Sequence, residues 1–272
     1  MKGWTVERGI PLEKDVERFG LRVLLEEGSK SGQGHADQWL AVLAQCELKP
    51  EQEIFVDDQK YSMQDLLRQV QWDIPRNVMR EFSWTLIGLT TYLPTDATWQ
   101  ASDGKDWSIE DLVRIEAGED LAESACGGTH RLIGMTMALN HHRDKGGTIG
   151  GGWKLAEQRI EHAIVRAKEL QNPDGSFSTH YFARGGSSAD LAQNLGTTGH
   201  VLEFLAIALP VEQLREPWVQ RAAWSLCDLF KKTMDLSLEC GALYHAAHGL
   251  VLYRERVFGA RRYSTSRPKL AP

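Results

Sequence analysis

The feature that most constrains this 272-residue chain is an alternation along its length. Charged, amphipathic helical segments are followed by segments that are apolar nearly all round. The periodicity predicts helices over Glu13 to Glu27, His35 to Cys46, Met63 to Trp72 and Asn77 to Leu93. A further helix opens at the capping-box variant Ser108-Ile-Glu-Asp111. Thr129 to His142, Trp153 to Gln171, Gly196 to Leu209, Pro217 to Lys232 and Cys240 to Tyr253 complete the set. Strand signals are weak, so the expected class is all-α.

The apolar segments align on one anchor each: His35, Trp84, His130, His200 and His245. Each anchor stands four residues before a Gly or aromatic followed by Leu or Met, as in His130 before Gly134-Met135. The anchors are 49, 46, 70 and 45 residues apart. The long step holds the loop from Asn172 to Asn194. A repeat of this length is a helical hairpin. A helix apolar on every side must be packed on every side, and small residues (Gly88, Gly134, Ala206, Gly249) let such helices approach closely. The expected architecture is an α/α toroid of about five outer/inner hairpins, a complete or incomplete ring, formed by residues 1–260. Residues 261–272 form a basic, frayed tail.

Alternation makes the inner helices parallel, so their N-termini meet at one mouth. His35, His130, His200 and His245 are each expected in the first turn of an inner helix, and His248 lies one turn below His245. Glu123, Cys126, Asn194, Glu203, Glu239, Cys240 and Tyr244 fall near the same end. Helix N-termini favour anions and uncharged imidazoles, which suits metal binding, proton transfer or an anionic ligand. Histidines in these places also serve simply to hydrogen-bond loops and close a ring. The candidate catalytic residues are His130, His200, His245 and Tyr244. The candidate substrate-binding residues are His35, Trp84, Asn194, Glu203 and His248, with Arg131 or Asn194 for a substrate carboxylate.

Cys126-Gly-Gly-Thr-His130 and Cys240-Gly-Ala-Leu-Tyr-His245 each pair a thiol with an imidazole about one turn apart. Together Cys126, His130, Cys240 and His245 are a candidate zinc set. The Gly146–Gly152 run lacks a phosphate-loop ending and reads as a helix–helix link. The loop Thr179 to Asp190, with His180, Tyr181, Phe182 and Arg184, is long for a compact domain and reads as a lid or as packing on the outer ring.

Composition sets the outer limits. A net charge of -6 argues against a general nucleic-acid binder. No apolar run reaches membrane-spanning length, and the first residues lack a signal-length apolar run. Four cysteines are too few for a disulfide scaffold and read as reduced thiols in the cytoplasm.

Gln171-Asn-Pro-Asp-Gly-Ser-Phe177 fits Q-x3-G-x-aromatic. It resembles the QW motif of squalene and hopene cyclases, with Phe177 in the tryptophan position. With the alternating helices over about residues 12 to 256, the chain resembles the terpenoid cyclase and protein prenyltransferase superfamily of α/α toroids. The DxDD acid motif of the class II cyclases is missing, and Asp57-Asp58 stands in another context. The prenyltransferase zinc pattern is echoed only by Cys126, Cys240 and the histidines.

Three functions follow as expectations. One is an acid/base enzyme at the His-rich mouth, acting on a carbohydrate-like or anionic small substrate. A second is a zinc-dependent or isoprenoid-binding protein of the prenyltransferase and cyclase kind. The third is a non-catalytic binding or scaffold module, which a homo- or hetero-oligomer would complete as a ring.

Overall fold

A computed structural model describes residues 12–15, 18, 20–25, 33–56 and 58–260. The basic tail from Arg261, and Asp57 of the Asp57-Asp58 pair, lie outside the described residues. The chain is mostly helical, 58% of it, with ten α-helices among the described residues. It divides into two compact units, Met1–Ala163 and Ile164–Pro272.

The first unit carries α1 (Gln38–Gln45), α2 (Met63–Asp73), α3 (Ser83–Tyr92), α4 (Ile109–Gly118) and α5 (Thr129–Asp144). Helix α6 (Gly151–Glu169) begins here and crosses into the second unit. Three antiparallel hairpins accompany them: β1 (Leu12–Asp15) with β2 (Gly20–Val23), β3 (Glu53–Val56) with β4 (Gln59–Ser62), and β5 (Thr98–Gln100) with β6 (Asp106–Ser108).

The first hairpin corrects the helix expected over Glu13 to Glu27. Leu21 and Val23 are buried while Arg22 between them reaches Glu13 and Asp73. That is a period of two, not 3.6. Gly20 packs so tightly on the Gln69 side chain that a Cβ there would lie 1.9 Å from Gln69 Oε1. The other two hairpins lead into outer helices whose starts were legible. Ser62 and Ser108 each accept from the backbone N–H three residues on, and Asp65 and Asp111 bond back to the cap residues, so both capping boxes are formed.

Helices α1, α3 and α5 pack side by side, with α2 against α3 and α4 against α3 and α5. Their contacts advance together along the chain. Thr85 Oγ1 donates to Asp37, Leu40 packs on Gly88, and Tyr92 Oη donates to the Leu48 carbonyl. Ser83 meets Gly134, and Thr95 meets His142. The three helices therefore run parallel. In α3 every residue from Ser83 to Thr90 is buried, as the all-round apolar pattern predicts.

The second unit contains α7 (Leu191–Ala208), the short α8 (Val211–Leu214), α9 (Pro217–Lys232) and α10 (Cys240–Phe258). Helices α7 and α10 pack along their lengths and α9 packs on both. They too are parallel: Gly196 faces Ala242, Gly199 faces Ala246, and Gly249 faces Glu203. Helix α7 is buried continuously from Leu195 to Ala206. Helix α10 departs from the inner-helix pattern: it buries His245, Ala246, Gly249, Tyr253 and Val257 and exposes Val251 and Phe258.

Gln171 of the QW-like segment donates to the carbonyls of Gly175 and Trp218 and accepts from Arg221. Phe177 is buried edge-on to Trp218. The motif thus ties the end of α6 to the start of α9. The loop beyond it is bonded throughout. Asn172 donates to Ser176, Phe177 and Gly186, and Arg166 to Phe182 and Ala183. Phe182 is buried edge-on to Phe204.

A Cβ on Gly199 would lie 2.6 Å from the Ala246 Cα. Gly199→Ala is expected to destabilise the protein by about 1–3 kcal/mol through overpacking. Gly118, with nothing within 4 Å of such a Cβ, is expected to tolerate alanine with no loss or a gain of up to about 1 kcal/mol. Urea denaturation of the two variants checks the contrast.

Candidate functional site

Each unit carries a buried glutamate held by two histidines. In the first unit the starts of α1, α3 and α5 come together. His35 lies in the turn before α1, not in the helix as expected, because α1 opens only at Gln38. Glu81 lies just before α3, and His130 is in the first turn of α5. His35 Nδ1 is 2.5 Å from Glu81 Oε1, and His130 Nδ1 is 3.7 Å from the same oxygen. Ser83 Oγ donates to Glu81 Oε2 at 3.2 Å. The Trp84 ring packs against both imidazoles, which meet edge to face with centroids 4.6 Å apart.

Burial alone would push the Glu81 carboxyl up. Its interactions with His130 and His35 outweigh that and hold it far below the usual carboxylate range. Behind it, Glu116 of α4 is wholly buried and accepts from Arg131, the Phe82 backbone N–H and Ser83 Oγ. Burial pushes Glu116 up to about 7, against the opposing charge of Arg131. Arg131 also donates to Ser124 Oγ and the Arg80 carbonyl. Three partners within the protein hold its guanidinium at this site. A cleft of about 230 Å³ opens here, lined by His35, Arg80, Glu81, Glu123, Ser124 and Arg131 among others.

In the second unit Glu203 of α7 faces α10. Its Oε2 accepts from His245 Nδ1 at 2.5 Å and its Oε1 from His248 Nδ1 at 2.6 Å. Burial would raise this carboxyl, but the hydrogen bonds from His245 and His248 prevail and hold it at about 2. His200 Nδ1 lies 2.7 Å from the Gly196 carbonyl. A carbonyl and a carboxylate only accept, so His200, His245 and His248 all carry a proton on Nδ1, and in the neutral rings Nε2 is the lone-pair nitrogen. The His200 and His245 rings lie against each other, centroids 3.9 Å apart. Tyr244, exposed, meets His245 edge-on and stacks on His248 at 5.4 Å. Tyr181, at a positive φ of 52°, sets its ring edge-on to His200.

The two clusters have the same profile of access. In the first, the His130 side chain is 2% exposed and that of His35 28%. In the second, His245 is 6% exposed and His248 27%. One imidazole of each pair is sealed in and the other reaches solvent.

Two further helix-start expectations are corrected. His200 is in the middle of α7, because Asp190 caps a helix that begins at Leu191: its Oδ1 accepts from the N–H groups of Ala192 and Gln193. His245 is in the second turn of α10, below the cap formed by Glu239. Asn194 Nδ2 donates to the Ser188 carbonyl and so ties the loop to α7.

The expected zinc set divides between the units: Cys126 and His130 in the first, Cys240 and His245 in the second. Within the first unit, Cys126 Sγ and a His130 nitrogen lie within 4.8 Å of each other, and one atom each of His35, Glu81 and His130 meet the same limit. Glu81 escaped the sequence reading. It is a lone acid three residues before the Trp84 anchor, at the mouth of an apolar helix, and that placement was its only signal.

Comparison with protein-family models, curated proteins and solved structures finds no match for this chain. No described helix is long and apolar enough to cross a membrane.

The Glu203 carboxyl lies below the ordinary value of 4.5, at about 2. A depressed acid contributes stability fully above pH 4.5 and loses it as the pH falls toward 2. The contribution is on the order of 3 kcal/mol. Glu203→Gln is expected to be less stable than the parent at pH 6, with the difference shrinking steadily toward pH 2. Denaturation midpoints across that range check it.

Proposed function

We propose that the chain is an acid/base enzyme, with His248 and Tyr244 of α10 as the groups that meet substrate. The observation that carries this reading is Glu203, whose two oxygens each orient a different imidazole through Nδ1. A carboxylate so placed fixes the tautomer, aims Nε2 away from itself and stabilises the imidazolium formed when Nε2 takes a proton. Held at about 2, Glu203 stays ionised through that step at neutral pH. His248 is the member of the pair open to solvent. Tyr244, stacked on it, brings a hydroxyl that can return a proton to the substrate, and an aromatic face.

The substrate class this fits is a small hydroxyl-rich molecule, carbohydrate-like or anionic. An α/α toroid is the framework we favour, supported in each unit by parallel, closely packed inner helices with amphipathic helices outside them. A cytoplasmic setting fits four cysteines that are all free thiols.

The test needs no prior substrate. The protein is incubated in D2O with a panel of sugars and sugar acids, and mass spectrometry follows deuterium uptake and bond cleavage. Turnover of one compound is expected, falling by about 10²–10⁴-fold in His248→Gln, whose side-chain amide can still donate to Glu203 and keep the variant folded. No turnover across the panel, or turnover indifferent to His248 and Tyr244, refutes the proposal.

A second reading rests on the first unit. His35, Glu81 and His130 offer three ligand atoms within 4.8 Å of one another. Two imidazoles and a carboxylate are a donor set that suits zinc in a catalytic site, where the metal activates a water. About one zinc per chain, lost in His35→Ala, is the expected elemental analysis. Metal-free protein that takes up no added zinc removes this reading.

A further inference from the structure

The exposed face of α10 is not featureless. Between α9 and α10 runs a groove of about 630 Å³, within the range of small-molecule sites. Its lining is mostly apolar, with Ala223, Trp224 and Cys227 from α9 and Leu250, Val251, Val257 and Phe258 from α10, beside the uncharged polar Gln220 and Tyr253. Trp224 is 74% exposed and Phe258 73%, so two large rings stand in water at its edges. Isolated exposed apolar residues need no explanation, but a contiguous groove of them does.

Two guanidiniums, those of Arg215 and Arg254, also line it. Arg215 donates one bond to the Val257 carbonyl and Arg254 one to the Gly259 carbonyl. Neither has a carboxylate partner among the described residues, whereas most other described arginines do. Both guanidiniums line a mostly apolar groove that has no acid among its lining residues. Arginine's planar fork matches a carboxylate bidentately.

We infer that the groove binds a long-chain carboxylate, with the acyl chain against Trp224, Leu250, Val251 and Phe258 and the head group on Arg215 and Arg254. The chemistry of the lining selects this class. A sugar would waste the apolar walls, and a neutral hydrocarbon would leave both guanidiniums unmatched. The groove is independent of the Glu203 cluster, which lies on the α7-facing side of α10.

The test uses the full chain and a series of saturated fatty acids from C8 to C16, kept below their critical micelle concentrations. Two reporters sit in the wall: Trp224 fluorescence, with Trp224→Phe as the blank, and the rate of maleimide reaction at Cys227. Saturable binding is expected, tightening about fourfold per added methylene until the groove is full. Methyl esters and alkyltrimethylammonium ions of equal chain length should bind at least about tenfold more weakly. Arg254→Gln should weaken the acid by a similar factor and leave the ester unchanged. Arg254 makes only one surface bond, so this variant should fold even if Arg215→Gln does not.

Equal binding of acid, ester and ammonium would overturn the assignment, as would binding that leaves Trp224 and Cys227 unaffected. A concentration-dependent dimer that Trp224→Ser dissociates, in protein that takes up no fatty acid, would assign the groove to a second copy of the chain instead.

Discussion

The structure depends on parallel helices brought into backbone contact. Parallel neighbours put like ends of their dipoles together, and the first-unit starts of α1, α3 and α5 gather partial positive charge in one place. A buried carboxylate is the natural complement. Glu81 occupies that spot, with Glu116 behind it accepting from the Phe82 N–H just before α3 and from the Ser83 hydroxyl at its start. The close approach itself needs glycine. At Gly134 a Cβ would lie 2.4 Å from the Ser83 carbonyl oxygen, and at Gly249 it would lie 2.9 Å from the Glu203 amide nitrogen. The same contact that packs α10 on α7 therefore sets the distance from Glu203 to the two histidines.

That geometry explains why the histidines are chemically distinct although their sequence positions look alike. A glutamate between two imidazoles is a costly thing to bury unless each oxygen is bonded. Glu203 takes one imidazole on each oxygen, whereas both first-unit imidazoles approach Glu81 Oε1 and Ser83 Oγ serves Oε2; in each unit one imidazole is sealed and one reaches solvent. In the second unit both members bond the carboxylate, and in the first the open one, His35, makes the shorter contact. The open member is the one a ligand can meet. His142 shows the contrasting use of the residue: it bonds Thr95 and the Thr148 carbonyl and stacks flat on Trp153, within the first unit.

Much of the helical framework was legible in the chain. The α9 limits, Pro217 and Lys232, and the Ser108 capping box follow from local rules, because proline at a helix start and a Ser–Asp cap act over three or four residues. The alternation of amphipathic and all-round apolar helices was legible for the same reason, and with it the parallel inner packing. Reading stopped where local pattern stopped. The hairpin at Leu12–Val23 uses four-residue strands, too short to show a period against charged neighbours. The start of α7 moved because Asp190, in a polar loop, outcompetes Gly196 as a cap.

What the sequence by itself determined is the mostly helical class, the alternation of amphipathic and apolar helices, and the histidine or tryptophan that marks each apolar segment. Those are encoded in hydrophobic periodicity and caps, which act between near neighbours. Only the tertiary structure decided that Glu81 meets His35 and His130, that Glu203 meets His245 and His248, and that Arg131 serves Glu116. Each of those partnerships except Arg131's joins residues about 45 positions apart through helices in contact, and none is favoured until burial removes water and makes an unpaired charge costly.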